Sequence, residues 1–216
     1  MQPIVFEHYR DYIFKKFPPP GKRILEIGAL PDTSQTLLSI FVSWGNDYEL
    51  IGIDLCAPEN PPERLPFRLL RCNANDMSIF SDSYFDAVIA VGVFNNDRYF
   101  WRSLAEIRRV LRSEGLFYVH VPGFERGEYK LKFKKLLYRI GYKFRIFGLD
   151  RPFIYLAENT WLSAVATYHY SPTPQDYYRF SEVAVKEVVM GGFEIIHYEQ
   201  LLYPPRIIAV GKKAGP

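Results

Sequence analysis

RILEIGALPD, residues 23–32, is the stretch of sequence from which the fold of this chain is predicted. Its first five residues read as a short buried strand, and Gly28 begins the turn that follows. The run Pro18-Pro19-Pro20-Gly21 ends the helical pattern upstream of this strand. Asp32 favours the start of a helix, with Gln35 three residues later as in a capping box. The stretch therefore predicts a strand, a turn and a helix, in that order.

The same alternation continues towards the C-terminus. The run Phe85–Val91 is almost wholly apolar, which is typical of a central parallel strand covered on both faces. Helical patterns cover 100–111 and 181–189, and the remaining strands are predicted at 48–55, 67–71, 116–121, 193–202 and 206–211. Strands that alternate with helices predict an α/β fold. We expect a doubly wound, mainly parallel sheet of seven strands with helices on both faces.

Length and composition indicate an ordinary folded domain. The chain has 216 residues, of which 48% are hydrophobic, and a formal net charge of +3 that does not by itself imply a nucleic-acid partner. Cys56 and Cys72 are too few for a disulfide framework and predict reduced thiols in a cytoplasmic protein. Neither a signal peptide nor an apolar run of about 18 residues is present, so no transmembrane segment is expected.

Four segments, in this order, resemble the class I S-adenosylmethionine-dependent methyltransferases of the type 11-like group. They are ILEIG (24–28), IGIDL (51–55), NANDM (73–77) followed by FDAVIAV (85–91), and LAEIRRVLRSEGLFYVHVP (104–122). Arg179-Phe180-Ser181 and Gly192-Phe193 resemble the family's last helix and sixth strand. The resemblance implies one Rossmann-like methyltransferase domain over residues 1–216, with S-adenosylmethionine as its cofactor.

The resemblance also implies a cofactor site at the carboxyl ends of the first strands, where ligands bind in doubly wound sheets. Asp54 is placed to accept hydrogen bonds from both ribose hydroxyls, and Gly28 lets the backbone approach the ligand. Glu26 organises the ammonium group, directly or through water. The implied set is Glu26, Gly28, Ala29, Asp32, Asp54, Leu55, Asn75, Asp76, Met77 and Val91.

Two roles are open for the loop that contains Asn75, Asp76 and Met77. In the first, Asn75, Asp76 or the Met77 amide contacts the adenine edge, with Asp76 as the acceptor for the exocyclic amine. In the second, Asn75 and Asp76 form an ordinary Asx turn and helix cap. The two roles are compatible with each other.

The chain departs from the family pattern at two places. Gly28-Ala29-Leu30-Pro31-Asp32 keeps one of the three glycines of the G-x-G-x-G loop, and Asp32 either brings charge near the cofactor carboxylate or binds the ammonium. Asn95-Asn96 stands near the position where many relatives carry an acidic–histidine pair. These departures favour an alternative function, a non-catalytic cofactor-binding or scaffold protein. A nicotinamide-dependent oxidoreductase would need G-x-G-x-x-G where this chain has GALPDT.

Residues 123–178 are too long for a simple connection and are predicted to form an insertion or lid. Within it, residues 126–145 carry eight Lys and Arg interleaved with aromatic side chains. This pattern predicts either a solvated helix over the sheet edge or a weak contact with an anionic surface.

The end of this insertion, Thr167–Phe180, is rich in hydrogen-bonding side chains. His169 is the candidate base, because an imidazole titrates near neutral pH, and Asp176 orients it or binds acceptor hydroxyls. The alternative is a loop histidine, with an Arg179–Asp176 pair that holds the start of the last helix. Similar H…DYYRF stretches in relatives imply a small-molecule or glycan-like acceptor. The predicted pocket comprises Tyr168, His169, Tyr170, Asp176, Tyr177, Tyr178 and Arg179.

Overall fold

The structure, a computed structural model, describes residues 3–32, 36–45, 47–123, 136–137, 139–140, 152, 176–202 and 205–215. Within these ranges, no helix is long and apolar enough to cross a membrane. Cys56 and Cys72 are free thiols.

The described chain forms one seven-stranded sheet. Its strand order is β3-β2-β1-β4-β5-β7-β6, in which β7 runs antiparallel to β5 and β6 and the other pairs are parallel. The predicted doubly wound α/β fold is therefore confirmed. The strands are β1 (Arg23–Ile27), β2 (Glu49–Asp54), β3 (Arg68–Arg71), β4 (Phe85–Val91), β5 (Leu111–Pro122), β6 (Phe193–Leu202) and β7 (Pro205–Lys213).

Helices cover both faces of the sheet. The N-terminal helix α1 comprises Pro3–His8, a π-helical stretch Tyr9–Ile13 and a last turn Phe14–Lys16. The helices that follow are α2 (Leu38–Val42), α3 (Phe100–Val110) and the π-helical α4 (Ala184–Val189).

Each face of the sheet has its own hydrophobic core. On the first face, α3 contributes Leu104, Ile107 and Val110, whose three-residue spacing places them on one side of the helix. On the second face, called the α1 face below, α1 and α2 pack against the sheet with Tyr9, Ile13, Phe14, Leu38, Phe41, Ala87, Tyr118 and Ile208. Burying one such side chain stabilises the fold by about 1.5–3 kcal/mol, so both layers hold the strand ends in place.

The helix described after β1 begins at Leu38, and residues 33–35 lie outside the described residues, so the predicted cap at Asp32 stays a prediction. No side chain at the N-cap position of this helix accepts a hydrogen bond. Glu26 on β1 takes the capping role instead, because a buried carboxylate can accept several hydrogen bonds at once.

Most of the predicted insertion lies outside the described residues. This includes Tyr168, His169 and Tyr170, and all of 126–145 except four helical residues at 136–137 and 139–140. At its two ends, Gly123 and Phe180 pair in an isolated parallel bridge. The chain therefore leaves β5 and returns to α4 at the same place, beside the carboxyl end of β5.

Candidate functional site

The turn after β1 is built around Gly28. Its φ is +81°, a conformation that side chains other than glycine rarely adopt, and a Cβ at this position would lie 2.9 Å from Val93 Cγ2. The amides of Gly28 and Ala29 both donate to the carbonyl of Ile53, at 2.8 and 3.2 Å. The turn is therefore held against the end of β2 and passes close to the loop after β4.

Glu26 holds the segment that follows this turn. Its side chain is buried, with the residue 2% exposed, and it accepts hydrogen bonds from the Thr36 hydroxyl and from the amides of Leu37 (3.1 Å) and Leu38 (2.9 Å). Burial raises the pKa of Glu26, and the three hydrogen bonds oppose that rise. Both carboxylate oxygens already have donors, so Glu26 acts on a ligand here chiefly by positioning the loop.

Gly52 is a site residue that the sequence reasoning missed. A Cβ on Gly52 would lie 2.5 Å from the Cβ of Ala29, which is fully buried. Ala29 therefore anchors the turn by packing onto β2, and Leu30, the next residue, is exposed. A glycine within an apolar strand often marks a close approach, and this signal was present in IGIDL.

Asp54 stands at the carboxyl end of β2 with one carboxylate oxygen engaged. Oδ1 accepts a hydrogen bond of 2.6 Å from the Cys56 amide, and among the described residues Oδ2 has no donor. Leu55 beside it is 59% exposed and offers apolar surface at the same edge. One oxygen caps the local turn, and the other is available to a ligand.

In the loop after β3, two hydrogen-bond donors that the sequence offered to the cofactor are bonded to other parts of the protein. The Asn75 side-chain nitrogen donates to Asp97 (2.8 Å) and Ser103 (2.9 Å), and the Met77 amide donates to Glu106 Oε2 at 2.6 Å. The Met77 amide was one of three candidate contacts to adenine, and in this structure a carboxylate on α3 accepts its hydrogen bond. Asp76 is exposed, and hydrogen bonds from Ser78 lower its pKa, so its carboxylate stays ionised towards solvent.

Arg109 fixes this loop onto α3 and was also missed. It donates to the Met77 and Phe80 carbonyls, each at 2.8 Å, and to the carboxylates of Glu106 and Asp82. The two carboxylates raise the pKa of Arg109, and Arg109 lowers that of Glu106. The sequence signal was the i,i+3 spacing of Glu106 and Arg109 on a helix.

A second glycine turn follows β4. Gly92 has φ +70°, a Cβ there would meet nothing within 4 Å, and its amide donates to the His120 carbonyl at 2.9 Å. Strands β1 and β4 are neighbours, with Ile27 paired to Ala90. The turns after Ile27 and Val91 therefore lie side by side and leave open backbone at the middle of the carboxyl edge.

Asp176 and Arg179 form an ion pair beside this turn. Their side chains are 5% and 11% exposed, and both guanidinium nitrogens of Arg179 donate to the carboxylate. The Asn95 amide nitrogen donates to Asp176 Oδ1 at 3.1 Å, and the Asn95 carbonyl accepts the amides of Tyr177 and Tyr178. This is the pairing that the sequence analysis gave as the alternative to a direct role for Asp176.

The segment 176–180 lies along the carboxyl edge of the sheet. The Phe180 amide donates to the Pro122 carbonyl at 3.0 Å, and the Tyr178 hydroxyl donates to the Arg98 carbonyl at 2.8 Å. The Tyr178 ring packs on Phe100, whereas Tyr177 is exposed. The structure thus brings Asp176, Tyr177, Tyr178 and Arg179 to the same edge as Gly28, Asp54 and Val91. Among the described residues, no cluster of His, Cys, Asp and Glu could hold a metal ion.

Known proteins match the chain in its central segment and in its overall fold. Residues 25–119 match the family model described as a methyltransferase domain. The chain is similar in structure to a Burkholderia thailandensis 1,6-didemethyltoxoflavin-N1-methyltransferase solved with 1,6-didemethyltoxoflavin and S-adenosylhomocysteine bound. The TM-score is 0.60 at 14% identity, over 98% of this chain and 79% of that one.

Two further structures resemble the chain over nearly their whole length. A Methanosarcina mazei S-adenosylmethionine-dependent methyltransferase gives a TM-score of 0.56 at 17% identity, over 100% of this chain and 99% of that one. An Aquifex aeolicus counterpart gives 0.57 at 12% identity, over 98% of each chain. No curated protein sequence matches. At these identities the likeness establishes the fold.

Proposed function

Because residues 25–119 belong to the class I S-adenosylmethionine-dependent methyltransferase family, we propose that the chain methylates a small-molecule or glycan-like acceptor. One observation carries the proposal. Two glycine turns with positive φ, at Gly28 and Gly92, lie side by side at the carboxyl ends of adjacent strands. A carboxylate with an available oxygen, Asp54, lies on the next strand.

The cofactor is S-adenosylmethionine, which supplies an electrophilic methyl group on a sulfonium. The residues present fit this group. Asp54 Oδ2 would accept hydrogen bonds from the ribose hydroxyls, Asp76 would accept one from the adenine amine, and Leu55 would pack against the adenine ring. The glycine turn at Gly28, which a Cβ would push against Val93, would let the backbone of Gly28 and Ala29 pass beside the aminopropyl group.

Methyl transfer is a single in-line displacement. The bond from the acceptor nucleophile to the methyl carbon forms as the carbon–sulfur bond breaks, and the bonding electrons stay on sulfur. The chain positions the acceptor over Val91 and Gly92, and positioning alone can supply much of the acceleration. His169 takes the acceptor proton, and Asp176, through Arg179 and Asn95, positions the segment that follows His169.

The acceptor class is supported by two observations. Asp176, Tyr177 and Arg179 lie beside Asn95 at the sheet edge where the sulfonium would lie. The Burkholderia thailandensis methyltransferase binds a small molecule together with S-adenosylhomocysteine. Cytoplasmic location is part of the proposal and is supported by the free thiols. Contact between residues 126–145 and anionic surfaces stays a prediction.

A binding protein without turnover is the second candidate, and it is favoured by the incomplete glycine loop. The structure weakens this argument at one position. Of the described residues other than glycine, Ser83 and Glu114 have positive φ, and Leu30 does not. Leu30 therefore adopts an ordinary backbone conformation in this turn. Its side chain is exposed to solvent and does not block the turn.

Calorimetric titration with S-adenosylhomocysteine tests the cofactor site. We expect binding by the wild type, weakened in Asp54→Ala by about 1.5–3 kcal/mol, the value of a hydrogen bond to a charged group. Glu59→Ala is the matched control, because Glu59 is an exposed acid on the same loop with one distant partner, Arg71 at 3.8 Å. No binding by the wild type at millimolar ligand would overturn the proposed function.

A further inference from the structure

Two polar side chains, one buried and one half-buried, lie at the carboxyl end of β5. His120 on β5 is 3% exposed, and Arg206 on β7 is half-buried with its Nη1 atom 3.2 Å from His120 Nε2. A guanidinium donates and never accepts, so Nε2 is the acceptor and the ring proton sits on Nδ1. The contact therefore fixes the tautomer of His120.

The pair leaves two donors without acceptors. Among the described residues, neither His120 Nδ1 nor Arg206 Nε has a hydrogen-bond partner, although both atoms are buried. Burial and the nearby Arg206 lower the pKa of His120 to about 3, so the imidazole is neutral at physiological pH. Arg206 stays a cation, and its described surroundings offer it a neutral ring and no carboxylate. A half-buried guanidinium whose buried Nε has no acceptor is costly, which indicates that an anion binds here.

The sheet register places this pair next to the proposed site of methyl transfer. His120 is the register partner of Val91 in the parallel β4–β5 pair, and Arg206 is the partner of Pro122 in the β5–β7 pair. Register partners project to the same face, so His120 lies on the α1 face one strand, about 4.8 Å, from Val91. Arg206 lies opposite Pro122, two residues further than His120 towards the carboxyl end of β5.

We infer that Arg206 and His120 bind an anionic group, a carboxylate or a phosphate, of the methyl acceptor, an inference that rests on the proposed methyl transfer. A guanidinium offers paired donors to two oxygens of such a group, and His120 Nδ1 adds a neutral donor. The anion neutralises the half-buried cation and holds the acceptor nucleophile over the end of β4. The acceptor class is thereby narrowed to small acids, acidic sugars and sugar phosphates.

The test uses thermal unfolding and calorimetry of the full chain saturated with S-adenosylhomocysteine, with inorganic phosphate in one arm and acetate in the other. We expect one of these anions to raise the Tm of the wild type, and the arm that responds identifies the anionic group. Arg206→Met should bind that anion about ten- to a hundredfold more weakly, through the loss of charge-assisted hydrogen bonds. Its Tm without anion should equal or exceed that of the wild type, because a half-buried guanidinium whose buried Nε has no acceptor is gone.

Arg108→Met is the matched control. Arg108 is also half-buried, but its guanidinium donates to the Gly191 and Val188 carbonyls on the other side of the sheet. The Arg108→Met variant should therefore show the same rise in Tm with the anion as the wild type. Arg206→Lys is a second variant in case Arg206→Met does not fold. It keeps the positive charge but lacks the planar guanidinium, so it should bind the anion more weakly than the wild type. An S-adenosylhomocysteine complex that responds to neither anion, or an Arg206→Lys response equal to that of the wild type, would overturn the inference. Absence of S-adenosylhomocysteine binding would instead overturn the proposed function.

Discussion

Over β1 and β2, residues near in sequence hold the carboxyl edge of the sheet together, whereas over β4 and β5 distant residues do so. Glu26 reaches 12 residues along the chain to Leu38, but Asn95 contacts Asp176 over 81 residues. We call the first region the cofactor edge and the second the acceptor edge.

The two edges also differ in how fully their polar atoms are paired. At the cofactor edge, the buried carboxylate of Glu26 has three donors. At the acceptor edge, Asn95 Oδ1, His120 Nδ1 and Arg206 Nε are buried, and none has a partner in the described part of the chain. A satisfied buried carboxylate such as Glu26 suits a fixed loop, and buried atoms without partners suit a site completed by its ligand.

The largest expected effect is at the cofactor edge. Glu26→Ala leaves the donors of Thr36, Leu37 and Leu38 without a buried acceptor, so we expect the free energy of unfolding to fall by about 3–5 kcal/mol. Urea unfolding measures this loss. S-adenosylhomocysteine affinity should fall with it, since the loop is no longer held. Glu63→Ala, at an exposed acid, is the control, and equal stability of the two variants would refute the role given to Glu26.

Removing Asp176 should lower the stability of the fold while leaving the cofactor affinity unchanged. Asp176→Ala removes the carboxylate that pairs with the buried guanidinium of Arg179, and we expect the free energy of unfolding to fall by about 2–3 kcal/mol. S-adenosylhomocysteine affinity should stay within about twofold, because no cofactor contact is removed. The double variant Asp176→Ala/Arg179→Ala should recover part of the stability. A large loss of cofactor affinity in Asp176→Ala would show that the edges are coupled.

The pH dependence of stability should report on His120. The pKa of His120 is about 3 in the fold against 6.5 for a free imidazole, so between these values the unfolded chain binds the extra proton. Stability from this group is complete above about pH 6.5 and is lost as pH falls, by about 2 kcal/mol between pH 7 and pH 5. His120→Gln should remove that part of the slope while the other histidines act equally in both proteins. Identical slopes would contradict a buried neutral His120.

The smallest expected effect comes from restoring a glycine. Leu30→Gly should leave S-adenosylhomocysteine affinity within about twofold and cost about 1 kcal/mol or less, through the greater freedom of the unfolded chain. Calorimetry and urea unfolding measure the two quantities. A large gain in affinity would mean that Leu30 narrows the turn and would favour the binding-protein alternative.

The same contrast explains what the sequence could predict. Strands such as Phe85–Val91 carry their own apolar pattern, and Gly28 and Asp54 sit next to the strands that place them, so the fold and the cofactor edge follow from local spacing. The sequence did not show that carboxylates on other elements, Glu26 and Glu106, accept the amides of Leu37, Leu38 and Met77. Such contacts between elements leave no periodic signal.

The acceptor edge was only partly accessible for the same reason. The stretch Thr167–Phe180 was predicted to fold over the strand ends. Its described part, 176–180, lies along that edge, and the ion pair between Asp176 and Arg179 was one of two alternatives. His120 sits in an apolar run, and its partner Arg206 lies 86 residues away after two prolines. The sequence did contain one signal, a histidine inside a buried strand, which needs a polar partner from elsewhere.

The most direct test of the central claim is transfer of an isotope-labelled methyl group from S-adenosylmethionine. The protein is incubated with the labelled cofactor and the small-molecule fraction of a cell extract, and products are separated by anion exchange and identified by mass spectrometry. We expect a labelled product that carries a negative charge, formed by the wild type and by Glu59→Ala and reduced at least tenfold with Asp54→Ala. A protein that binds S-adenosylhomocysteine but labels no molecule in the extract would contradict methyl transfer and favour the non-catalytic alternative.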